Sequence, residues 1–259
     1  MTEIIEVNNL QEMLTSSIPQ ENEWIGRNFK ISGDLIGCEY AILKMSPHNT
    51  SKTPTNEVLA YALASFIGLK VPKFLGIWTP KEIQAPGGYS IKAFSIGVLI
   101  EYLSNLANID WDAAVAIDHN FAANVLLLCC FDRHEWGDLV LSGNTPYFID
   151  LERILLPIKP EWLMSENPRK RAMELEGHRK YYNSKDISNI SEALSKGKEL
   201  GIYDLLREKA HTFCEIPLKL LIPAITISGN HPLCVMISKF AAKALIERRK
   251  SLASMIKSL

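Results

Sequence analysis

The chain has 259 residues, 47% of them apolar and 22% charged, which is enough greasy material for a core and an ordinary charged surface. Lys plus Arg number 28 against 29 Asp plus Glu, a balance that excludes nucleic-acid binding driven by bulk charge. The 5 cysteines are odd in number and form no C-x-x-C pair, which argues against a disulfide framework or a structural zinc site and for a reducing cytoplasm.

Residues 1–23 are polar and mixed and read as a peripheral lead-in, with no basic segment and apolar stretch of the secretory kind. From Trp24 to Met45 the apolar spacing predicts strands around a turn that contains Gly33 and Gly37. The second of these, Tyr40 to Met45, has the content of a buried strand with one lysine, Lys44, inside it. Residues 46–55 are a polar loop. Val58, Leu59, Ala62, Leu63, Phe66 and Ile67 then recur at helical spacing, with Thr55 as the expected N-cap and Gly68 as the left-handed stop before Val71-Pro72. Phe74 to Trp78 reads as a strand, Gln84 to Ser90 as a hairpin turn around Pro86-Gly87-Gly88, and Ala93 to Tyr102 as another strand.

Beyond Tyr102 the character becomes helical. Asp110 to Leu128 carries helical spacing, and its apolar run from Phe121 to Phe131, which holds Cys129 and Cys130, is too short to span a bilayer. Residues 132–150 read as a loop, a strand, a turn at Ser142-Gly143-Asn144 and a second strand ending at Asp150. From Glu161 to Leu259 the pattern is amphipathic helices. The order is β-rich first and α-rich after, an α+β chain with segregated halves.

The chemistry concentrates between residues 131 and 152. Asp132-Arg133-His134 directly follows the most apolar stretch, and Asp150 closes an apolar strand. Two carboxylates at the ends of a short hairpin can face one space, one orienting a hydroxyl and the other holding Mg²⁺. Equally, an Asp-Arg pair can be a plain surface ion pair, and an aspartate after a strand a turn former. Lys44 in an apolar strand needs a partner, because an unpaired buried ammonium is costly. Glu57, a bound phosphate, or water at a sheet edge would each serve. Glu57 could also be only a favourable charge near a helix N-terminus. Gly33 and Gly37 would let the backbone approach phosphates or would simply make a turn. Ile100-Glu101-Tyr102-Leu103 ends the β-rich half, where a connector backbone would meet adenine.

In this order, with Asn56-Glu57 opening a helix that ends Ile67-Gly68-Leu69-Lys70-Val71-Pro72, and with Ile149-Asp150 closing the hairpin, the chain resembles the HipA-like kinases. That family is related to the phosphatidylinositol 3- and 4-kinases and to the protein-kinase fold. The resemblance covers residues 28–155. It implies a two-lobed kinase-like fold, with an N-lobe over residues 1–102 and a helical C-lobe over 103–259. It implies ATP and Mg²⁺ as cofactors, with Lys44 on the nucleotide phosphates and Glu57 orienting it. Asp132 would be the catalytic aspartate, braced by Arg133 and His134, and Asp150 the metal-binding one. The sequence departs from the family where an asparagine is usual: position 137 is glycine and Asp138 follows, a carboxylate that would also suit Mg²⁺. Leu151-Glu152 stand where the family has His-Gly or Phe-Gly, with Glu152 as a further ligand.

The expectation is a cytoplasmic kinase that phosphorylates a protein serine or threonine, with an inositol lipid as the second choice of acceptor. The alternatives are a pseudokinase that binds a nucleotide or partner without turnover, and a nucleotidyl transferase. His119, His178, His211 and His231 lack metal-ligand spacing, and no Gly-x-Ser-x-Gly, His-Glu-x-x-His or Walker A loop is present. The basic patch Asn167 to Arg171 and the run Glu247-Arg248-Arg249-Lys250 read as solvated surface.

Overall fold

The computed structural model describes residues 14–17, 27–32, 40–45, 54–78, 83–85, 89–91, 97–131, 138–149, 151, 188–225 and 232–258. The strands in chain order are β1 (Leu14–Ser17), β2 (Arg27–Ser32), β3 (Tyr40–Met45), β4 (Phe74–Trp78), β5 (Ile83–Ala85), β6 (Tyr89–Ile91), β7 (Gly97–Glu101), β8 (Leu106–Asn108), β9 (Leu139–Ser142) and β10 (Thr145–Phe148). The helices are α1 (Pro54–Phe66), α2 (Trp111–Ile117), α3 (His119–Cys129), α4 (188–199), α5 (Tyr203–Glu215), α6 (Leu218–Ile225) and α7 (Pro232–Ser258). Among the described residues, β1–β7 all precede Tyr102 and six of the seven helices follow it, as the segregated pattern of the sequence implies. Among the described residues every strand pair is antiparallel, in sheets ordered β1-β2-β3-β7-β4, β10-β9-β8 and β5-β6. No described helix is long and apolar enough to cross a membrane.

The centre of the large sheet is β3 paired with β7, with Ile42 opposite Ile100 and Lys44 opposite Val98. Side chains alternate across a pleated strand, so Ile42, Lys44, Val98 and Ile100 share one face. Ala41, Leu43 and Leu99 occupy the other and are buried. Helix α1 packs against β7 and β4 and turns Leu59, Leu63 and Ala64 into the core. It starts at Pro54, one residue before the expected cap at Thr55, because proline suits the first helical position, where its missing N–H costs nothing. It stops at Gly68 as the sequence implies: φ there is +72°, the Gly68 N–H reaches the Ser65 carbonyl at 3.1 Å, and the Leu69 N–H reaches that of Ala64 at 2.8 Å. These are the two bonds of a Schellman cap, with Leu69 buried as its hydrophobic partner.

The helical stretch expected over Asp110 to Leu128 is two helices. Asp110 caps α2 through the Ala113 N–H at 2.8 Å. Asp118 is extended, ends α2, and caps α3 through the N–H groups of Asn120 and Phe121 at 2.8 and 3.2 Å. Two short carboxylate side chains that compete for backbone N–H groups set this break. From Phe121 to Cys129, α3 is buried on all sides. It packs on α2 and α5, and α5 on α7. Among the described residues, a buried cluster runs from α1 and β7 through α3 to α4, α5 and α7.

Two strands escaped the sequence pattern. β1 lies inside the supposed lead-in and pairs with β2; β8 lies in the supposed helical region and pairs with β9. All three residues of β8 are exposed, so no apolar alternation marks it.

Candidate functional site

The Lys44 ammonium meets the Glu57 carboxylate at 2.6 Å, with side-chain exposures of 14% and 2%. The strand supplies the lysine from the sheet face that α1 covers, and the first turn of α1 supplies the acid. Of the partners that Lys44 might have had, Glu57 is therefore one that it does have. The helix N-terminus adds a favourable dipole for Glu57, but near-complete burial makes the ion pair the stronger requirement.

Glu101 closes β7. Its N–H donates to the Lys73 carbonyl at 2.9 Å and its carboxylate accepts the Lys73 N–H at 3.1 Å. The next N–H, that of Tyr102, donates to the Tyr40 carbonyl at 3.4 Å, and the two tyrosine rings meet edge to face at 6.0 Å. The end of β7 is thus tied to β3 and to the segment before β4.

The β9–β10 hairpin turns through Gly143 at φ +61° and Asn144, and pairs Leu139 with Phe148. Asp138, half-buried, stands at its mouth, where its carbonyl accepts the Ile149 N–H at 3.0 Å. Ile149 is the residue before Asp150, and the next residue described, Leu151, is fully buried. The hairpin also reaches across to α1: the Phe148 N–H donates to the Lys70 carbonyl, just past the Gly68 cap, at 3.0 Å. Backbone bonds therefore join the strand that leads to Asp150 with the end of the helix that carries Glu57.

Gly33, Gly37, Asp132, Arg133, His134, Asp150 and Glu152 lie outside the described residues. So does the patch at 167–171. Among the described residues, no three acidic, His or Cys side chains cluster as metal ligands.

The sequence reading missed Arg248 and Arg249. Read as part of a solvated run, they are buried on α7, with 4% and 9% exposure. Arg248 Nη1 donates to the carbonyl of Phe131, the residue before Asp132, and Arg249 Nη2 donates to the carbonyl of Cys214. Each guanidinium serves a carbonyl at a helix end that has no partner within its own helix. A four-residue charged run gives no sign of this.

Cys129 and Cys130 are buried as expected. Burial pushes the Cys130 thiol up to about 12, with the neighbouring Cys214 adding to it. Burial also raises Cys214, against the opposing pull of the Arg249 guanidinium. Both thiols are held in the protonated, unreactive form. His211 is exposed beside Glu215 at 3.5 Å. An open hollow of about 460 Å³ lined by Asp204, Arg207, Glu208, His211, Ile256 and Lys257 contains none of the candidate residues.

No protein-family model matches the sequence, and no curated protein matches it. Among solved structures, the chain is similar to the crystal structure of a proinflammatory kinase, CtkA, from Helicobacter pylori: 13% sequence identity, 94% of this chain and 96% of that one covered, and a TM-score of 0.49.

Proposed function

We propose that the chain is an ATP-dependent phosphotransferase of the HipA-like kind, two-lobed, which moves the γ-phosphoryl group of ATP to the hydroxyl of a protein serine or threonine. The observation that carries this reading is the buried Lys44–Glu57 pair between a central strand and the first turn of the next helix. An ion pair is a costly way to fill such a position, since each ion loses several kcal/mol of hydration and a leucine would pack there without that penalty. A fixed cation at a strand surface is what nucleotide phosphates require.

In this reading Glu57 holds the Lys44 ammonium in place and Lys44 orients the phosphates. Asp132 orients the acceptor hydroxyl and takes its proton as the new O–P bond forms and the bond from the γ-phosphorus to the bridging oxygen of ADP breaks. Arg133 and His134 brace the Asp132 loop. The donors proposed for Mg²⁺, Asp138, Asp150 and Glu152, are all carboxylates, the ligand type that ion prefers. The Asp138 carbonyl is bonded to the residue next to Asp150, which supports a joint role. When bound, the ion would neutralise phosphate charge. Gly33 and Gly37 would give the backbone access to the phosphates, and the connector at Glu101 would border the adenine.

The test is transfer of labelled phosphate from Mg-ATP to a protein acceptor, with phosphoinositide vesicles as a second acceptor. Asp132→Ala and Asp150→Ala serve as controls. Transfer that survives both substitutions sinks the assignment. Mass spectrometry of the product separates a phosphoryl from an adenylyl adduct, the mark of a nucleotidyl transferase.

A pseudokinase is the second reading. Gly137 stands where the family has a metal-binding asparagine, and Leu151-Glu152 stand where it has His-Gly or Phe-Gly, so that the glycine is absent. ATP that raises the thermal midpoint without any transfer would favour this reading, because a ligand bound only by the native state stabilises it.

A further inference from the structure

We propose that the Glu101 side chain determines which base the nucleotide site accepts: it takes a hydrogen bond that the β-ladder would give to the Glu101 carbonyl, and so keeps that carbonyl open as an acceptor for an amino group on the base. The inference rests on the phosphotransferase reading, which puts the base beside the end of β7, and adds to it how the base is chosen.

The ladder sets which way each backbone group faces. In the pairing of β3 with β7, Ile42 stands opposite Ile100 and Ala41 opposite Glu101. The Tyr102 N–H donates to the Tyr40 carbonyl. Successive residues of a strand turn their N–H and C=O groups to opposite sides, so Tyr102 faces β3 and Glu101 faces the other way, towards the segment before β4. There Phe74 stands opposite Ile100, which sets Lys73 opposite Glu101. The Glu101 N–H donates to the Lys73 carbonyl at 2.9 Å.

An antiparallel pair of this kind exchanges two bonds, and the second would run from the Lys73 N–H to the Glu101 carbonyl. Instead the Lys73 N–H donates to Glu101 Oε2 at 3.1 Å. The side chain stands in for its own carbonyl, as a charged oxygen is the stronger acceptor of the two. The exchange deprives the carbonyl of its ladder donor on a half-buried residue, where a backbone acceptor ordinarily has a partner. The N–H groups of Glu101 and Tyr102 are already given to Lys73 and Tyr40. What Glu101 has to offer a ligand is therefore an acceptor. Adenine carries an amino group at position 6 of its ring, a donor. Guanine carries an oxygen there, which would set two acceptors against each other. A fixed acceptor separates the two bases, because the wrong one leaves it unpaired.

The test is calorimetric binding of Mg-ATP, Mg-GTP and Mg-purine riboside triphosphate to the full chain; the last is ATP without the 6-amino group. Wild type is compared with Glu101→Ala, Glu101→Gln and Glu101→Met. The quantity read is the affinity for ATP divided by that for the purine riboside triphosphate. Repulsion between the carboxylate and the triphosphate is common to both ligands and cancels in this ratio. Wild type should prefer ATP about tenfold, the worth of one hydrogen bond, and should bind GTP more weakly than ATP. In Glu101→Ala the Lys73 N–H returns to the backbone carbonyl, and the ratio should fall below about threefold. Glu101→Gln keeps a side-chain oxygen for Lys73 and should keep the wild-type ratio. Glu101→Met has a similar reach and no such oxygen; it should match the alanine variant, and it carries the test if that variant does not fold. A ratio that survives in Glu101→Ala and Glu101→Met overturns the proposal, and so does a wild type that binds ATP and the purine riboside triphosphate equally. A wild type that binds none of the three ligands sinks the phosphotransferase reading, and the choice of base with it.

Discussion

The Lys44 amine and the Glu57 carboxylate, thirteen residues apart in the chain, meet at 2.6 Å between the central strand β3 and the first turn of α1. Lys44→Met removes the ammonium that meets the buried Glu57 carboxylate and should cost about 3–5 kcal/mol. The double variant Lys44→Met/Glu57→Leu removes both charges and should recover most of that loss. Urea denaturation of the two single variants and the double one measures the coupling; a double variant as unstable as the sum of the singles would disprove it. If the pair serves the nucleotide, the double variant is stable and inactive.

The Gly68 cap predicts a smaller effect. A Cβ at this position has no heavy atom within 4 Å, so only the backbone at φ +72° resists substitution. Gly68→Ala should cost about 1 kcal/mol and Gly68→Asn less, since asparagine tolerates the left-handed region. Equal losses in chemical denaturation would mean that the cap is not the source of the strain.

Gly197 in α4 is a packing glycine. An added Cβ would stand 3.0 Å from Leu206 Cδ2, 3.6 Å from Tyr203 Cα and 3.7 Å from Leu126 Cδ1. In Gly197→Ala, the gain in helix propensity of about 1 kcal/mol offsets a contact that a side-chain tip can relieve, so stability should stay within about 1 kcal/mol of wild type. Gly197→Leu cannot be relieved against buried α3 and α5 and should lose about 1–3 kcal/mol or more. Thermal midpoints of the two variants separate the cases.

Cys130 makes stability fall at high pH. Its thiol ionises at about 12 in the native state against an ordinary 9.0. The native chain therefore keeps a proton that the unfolded chain gives up, and the thiol's contribution is complete below pH 9 and lost as pH rises towards 12. The slope is about 1.4 kcal/mol per pH unit. Urea midpoints from about pH 8 to about pH 11 should fall less steeply for Cys130→Ala than for wild type. Parallel curves would mean that the thiol ionises freely in the native state. The same burial predicts slow alkylation of Cys130 by iodoacetamide below pH 9.

The site was partly legible before the fold. Lys44 stands out in the sequence because an ammonium inside an apolar strand needs an anion, and Glu57 stands in the nearest helical turn. That argument uses only strand periodicity, helix spacing and the cost of burying charge. Arg248 and Arg249 were misread for the opposite reason. On a helix, four charged residues in a row are solvated unless another element covers them, and nothing in the run itself says that α3 and α5 end there.

Local chemistry was therefore written in the sequence: the apolar content of β3, the glycine stop of α1 and the turn of the β9–β10 hairpin, each set by residues within a few positions of one another. Pairings between distant segments were decided only by the tertiary structure. The register of β3 on β7, the bond from Phe148 to Lys70, and the reach of Arg248 to Phe131 each join segments more than fifty residues apart. The physical reason is that a desolvation cost or an unpaired backbone group has no definite value until the covering element is in place. Exposed strands such as β8 gain their identity from the neighbour they bond to rather than from their own side chains.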